Sequence, residues 1–92
     1  MPENIKSILL LARRDHAEAM RVAAGLTIFG HQVRLVFMDR PVADTQENAE
    51  QAELLELAEI APETTVDNAD LPLLDRPHLA DALLSADVVM SF

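Results

Sequence analysis

The chain has 92 residues, half of them hydrophobic, with three phenylalanines as its aromatic residues, no cysteine, and 16 acidic against seven basic side chains, a net charge of −9. A length just under the roughly 100–150 residues of a common domain leaves room for one core, so a single domain over residues 1–92 is expected. Without thiols there are no disulfides, thiolate metal sites or cysteine nucleophile, and the acidic balance without a basic stripe argues against nucleic-acid and anionic membrane partners.

The charge divides unevenly along the chain: residues 1–40 hold six basic and four acidic groups, whereas residues 41–92 hold one base, Arg76, and twelve acids. Residues 5–12 are apolar throughout much of their length, which predicts a strand buried on both faces and central in its sheet. Asp15 and Glu18 have capping-box spacing, and Gly30 supplies a left-handed stop, so a helix runs between them. Ala19, Met20, Val22, Ala23, Leu26 and Thr27 form its broad packing face, and the alanines allow close approach to a sheet. Residues 32–38 read as a second strand, giving a βαβ unit with parallel strands.

Asp44 with Glu47 predicts a second cap, followed by a helix over residues 45–61 that places Leu54, Leu57, Ala58 and Ala61 on one face. Its first half, through about Gln51, is polar enough to form a loop instead. Pro62 closes the element. Residues 64–66 predict a short strand, residues 67–75 a loop, and residues 78–85 a short helix whose first turn accommodates Pro77. Residues 87–92 predict the closing strand. The expected fold class is α/β, a three-layer single domain with a mainly parallel sheet of about four strands. The longest apolar run, Ile8 to Ala12, is too short to span a membrane. The polar start lacks a signal-peptide pattern, so a cytoplasmic location is expected.

Neither glycine belongs to a GxGxxG or Walker loop, and His16, His31 and His78 are too scattered to form a recognisable ligand pair. No metal or cofactor is expected. In open α/β sheets, ligands bind beyond the carboxyl ends of the strands. That rule selects three loops: Arg13, Arg14, Asp15 and His16 in the first, Asp39 and Arg40 in the second, and Asp67, Asn68 and Asp70 in the third. Arg13, Arg14, His16, Asp39 and Arg40 are the candidate ligand-binding residues. The two arginines beside a helix N-terminus either hold a small anion or pair with acids such as Asp39, and pairing is the favoured reading. Asp15 is foremost a helix cap, and His16 and His78, in first helical turns, are read as exposed. Acids at positions 47, 50, 53, 56 and 59 recur every three residues and so drift around a solvated helix.

The opening Lys6-Ser7-Ile8-Leu9-Leu10-Leu11-Ala12, the turn Thr27-Ile28-Phe29-Gly30-His31-Gln32-Val33 and the closing Ala82-Leu83-Leu84-Ser85-Ala86-Asp87-Val88-Val89-Met90-Ser91-Phe92 resemble the DsrE/DsrF-like family over nearly the whole chain. The resemblance implies a small α/β protein assembling into trimers, hexamers or mixed oligomers. It also implies persulfide transfer on a cysteine in the loop after the strand that residues 64–66 match. Here that loop reads Asp67-Asn68-Ala69-Asp70-Leu71, and neither carboxylate nor amide can carry a sulfane sulfur. The expectation is a non-catalytic, DsrE-like subunit that binds a small ligand, a small anion among the options, or a partner: copies of itself or related family subunits. Two other readings remain. One is a small enzyme using His16 or His78 with Asp67 or Asp70 as general acid and base. The other is an acidic interaction module whose 45–61 helix docks on a basic partner.

Overall fold

The computed structural model describes residues 5–40, 42–66 and 71–92. In chain order it contains β1 (Ser7–Ala12), α1 (His16–Ile28), β2 (Gln32–Phe37), α2 (Gln46–Leu57), β3 (Glu63–Thr64), α3 (Arg76–Ser85) and β4 (Val88–Ser91). The strands form one sheet in the order β3-β2-β1-β4, and every neighbouring pair is parallel. β1 is therefore central, as its unbroken apolar run requires: Leu9, Leu10 and Ala12 are fully or almost fully buried.

Alternation along the strands divides the core in two. Ile8, Leu10, Ala12, Leu35 and Phe37 pack with Ala19, Met20 and Ala23 of α1 and Leu55 of α2. Leu9 and Val36 point the other way and meet Leu74 and Ala82, the latter in α3. Because β-strand side chains alternate between faces, α1 and α2 cover one side of the sheet and α3 the other. This is the three-layer α/β fold.

Helix α1 follows its sequence signals. The Asp15 side chain accepts from the Glu18 amide at 3.1 Å, and the helix ends in a Schellman turn. In that turn Gly30, at φ 92°, donates to the Thr27 carbonyl and His31 to that of Leu26.

Helix α2 departs from expectation at both ends and in its face. Its cap is Thr45 rather than Asp44, with Thr45 Oγ1 accepting from the Asn48 amide at 3.1 Å. The polar stretch after it is helical, and the helix stops at Leu57, four residues before Ala61. The stop is a second Schellman turn, with Ile60 donating to Leu55 and Glu59 to Glu56, in which Glu59 takes the left-handed position at φ 61°. The buried face is rotated from the expected one. Asn48, Gln51 and Ala58 are half-buried around buried Leu55, at helical spacing, while Leu57 is 81% exposed. With leucines at both 54 and 55, the polar Asn48 and Gln51 decide the stripe, because they lie on it.

The edges of the sheet are short. β3 is only Glu63–Thr64, shifted by one from the expected start, and is held to β2 by a two-pronged contact from Arg34 to Glu63 at 2.6 and 3.0 Å. Thr64 is buried and bridges to Leu73 beyond it. α3 starts at Arg76, with Asp75 as its cap and Pro77 in the first turn. At the other edge, β4 leaves the adjacent residues Val88 and Val89, which face opposite sides of the sheet, 39% and 44% exposed. Asp87 ties β4 to β1: its amide donates to the Ser7 carbonyl at 2.8 Å, and its Oδ2 accepts from the Ser7 amide at 2.9 Å.

Candidate functional site

Parallel strands bring their carboxyl ends to one edge, and with β1 and β2 paired from Ser7–Gln32 to Ala12–Phe37, the loops after them open side by side. The first carries Arg13, Arg14, Asp15 and His16, and the second carries Asp39 and Arg40. These five candidate residues and the Asp15 cap thus share one neighbourhood. Asp67, Asn68 and Asp70, the third set, lie outside the described residues.

The chain leaves β1 and turns at once into α1. The turn is held by the main-chain oxygen of Phe92, which accepts from the amides of Arg13 at 2.8 Å, Arg14 at 2.7 Å and Asp15 at 3.4 Å. Arg13 Nε stands 3.6 Å from Asp39 Oδ2, both side chains about half exposed, so this arginine does pair with an acid. Asp39 itself holds the left-handed conformation at φ 72°, which a short polar residue tolerates better than most. The next residue, Arg40, sends its guanidinium to the Arg14 carbonyl oxygen. The second loop is thereby stitched to the first.

His16 is not exposed. It is 5% accessible, in the first turn of α1 on the face turned to the sheet, with its ring 5.1 Å from that of Phe37 and tilted by 59°. Its Nε2 is buried and has no hydrogen-bond partner among the described residues. Burial holds the imidazole below its ordinary pKa, opposed by the nearby main-chain oxygens of Met38 and Ala12 and reinforced by the Arg40 charge. A first-turn position says nothing about azimuth, and Phe37, against which the His16 ring packs, lies 21 residues further along the chain.

Sequence reasoning passed over Thr45, the cap of α2, and Asn48, whose amide it holds; together with Arg14, His16 and Arg40 they line a cleft of about 320 Å³ between the starts of α1 and α2. A smaller cleft of about 220 Å³ also borders Arg14 and is lined by Arg13, Arg14, Ser91 and Phe92. A third, about 430 Å³ and largely apolar, runs between Met38, Thr65, Leu74 and the start of α3 at Asp75, Arg76 and Leu79.

At the start of α3, Asp75 caps the helix through the His78 amide and also meets His78 Nδ1 at 2.5 Å. The His78 backbone amide, then its ring, hold the Asp75 carboxyl below its usual range. Most of the His78 side chain is in solvent, as expected, and its acidic neighbour is Asp75, which the sequence reading had not singled out.

Among the described residues, no group of three or more His, Asp or Glu side chains is placed to hold a metal ion, and no helix is long and apolar enough to cross a membrane. No family model, curated protein or solved structure matches this chain.

Proposed function

We infer that the protein is a non-catalytic, self-associating α/β subunit of the DsrE/DsrF-like type, working in the cytoplasm and holding a small anionic ligand at the carboxyl edge of its sheet. The observation that carries self-association is β4. A parallel sheet is normally covered on both faces, yet Val88 and Val89 leave both faces of this edge open, and Leu83 and Leu84 of the adjoining α3 are exposed as well. A second copy, or a related subunit, would cover them. The resemblance in the opening strand, the α1–β2 turn and the closing strand supports the family, and the 92 residues contain no thiol to carry sulfur.

Light scattering on the purified protein at tens of micromolar should give a mass that is a multiple of the 10.1 kDa chain, a trimer or hexamer. Val89→Lys should lower that mass by placing a charge in the interface. A single-chain mass for the unaltered protein would remove self-association from the reading.

A further inference from the structure

Arg14 is shared by two clefts, and hydrogen-bond donors divide unequally between them. On the β4 side, the Arg13 and Arg14 amides are already occupied by the Phe92 oxygen, and the Arg13 guanidinium leans on Asp39. On the α2 side, the first turns of α1 and α2 open into the 320 Å³ cleft, with Arg14 and Arg40 on its wall. The amides of His16, Ala17 and Glu47 have no acceptor among the described residues. Those amides are the donors that a helix start leaves over, and each start adds a partial positive charge.

His16 supplies an independent observation. It lines this cleft, is 5% accessible, and keeps a buried Nε2 with no partner among the described residues. The main-chain oxygens of Met38 and Ala12 lie near the imidazole, but Nε2 meets no described group at hydrogen-bonding geometry. Buried polar atoms are nearly always hydrogen-bonded, so this one, in the wall of a cleft that also holds unmatched amides, points to a missing acceptor. Two carboxylates share the wall. Asp15 already spends Oδ1 on the Glu18 amide, whereas Glu47 stands in the first turn of α2 and opposes an anion.

We propose that the cleft between the starts of α1 and α2 binds a phosphate group, whose oxygens accept from the Arg14 and Arg40 guanidiniums, the first-turn amides and His16. The volume lies at the lower end of small-molecule sites, roughly 300–1,000 Å³, and so admits a small phosphomonoester as well as free phosphate. This rests on the reading of the carboxyl edge as a ligand site and moves its centre from Arg13 to Arg40.

The test is to titrate inorganic phosphate and, separately, glycerol phosphate into the whole 92-residue chain, following the His16 imidazole and the Ala17 and Glu47 amides by NMR. Saturable shifts at these groups are expected, and whichever compound binds tighter identifies the free anion or the ester as the source. Arg40→Gln should weaken binding by roughly ten- to a hundredfold. Glu47→Gln should tighten it, a gain that a misfolded variant cannot mimic, while Arg13→Gln should leave it unchanged. Absent or unsaturable shifts, or indifference to Glu47→Gln, overturn the proposal. Loss of binding in Arg13→Gln with none in Arg40→Gln would leave the carboxyl edge a ligand site but place the anion on the Phe92 side. A monomer that binds phosphate would remove self-association alone.

Discussion

His16 combines a titratable ring with a place that disfavours its charge. Its folded pKa lies below the unfolded value of about 6.5. Between those two values the unfolded chain binds more protons than the folded one, so stability rises with pH there and is lost as pH falls through the same window. Urea unfolding at pH 7.5 and at pH 5.5 should therefore show the protein weaker at the acid end, and His16→Leu should flatten the difference. An unchanged slope in the variant would assign the effect to other groups. The arginines at this edge were legible as a cluster, since both loops follow strands. What their neighbours do was not: the Phe92 oxygen that occupies two of the amides comes from the far end of the chain.

Two of the three crossover helices, α1 and α2, end in the same turn built from different residues. Gly30 takes the left-handed position at the end of α1 without strain, whereas Glu59 takes it at the end of α2 with a side chain that resists it. Glu59→Gly should therefore stabilise the protein by about 1 kcal/mol, and Gly30→Ala should destabilise it by a similar amount, both read from denaturant midpoints. A destabilising Glu59→Gly would mean that the side chain contributes something its exposed position does not show. This difference also explains which helix end could be read in advance. A glycine announces a stop, while Glu59 announces none, so the expected helix ran on to Ala61, just before Pro62. Likewise, α1 displays its buried stripe in alanines and methionine, but α2 hides its own behind Asn48 and Gln51, so that Leu55 gave way to Leu57 in the sequence reading.

At the scale of the molecule, strand–helix–strand order with a leucine-rich first strand was enough to specify three layers, because a parallel crossover leaves few alternatives. The charge is the other global property. Twelve acids against one base in residues 41–92 repel one another in the folded chain. Raising sodium chloride from about 0.01 M to about 1 M cuts the screening length from roughly 30 Å to roughly 3 Å, and the thermal midpoint should rise accordingly. Calorimetry would check it, a falling midpoint showing that ion pairs such as Arg34–Glu63 outweigh the repulsion. The contact between Ser7 and Asp87, 80 positions apart, has a kinetic meaning. The central strand gains its second neighbour only after a long loop closes, which is entropically slow. In the meantime Leu9 to Leu11 present an open edge that a strand from another molecule can fill as readily as β4. Refolding is thus a race between two partners for one edge, and dilution favours the one on the same chain.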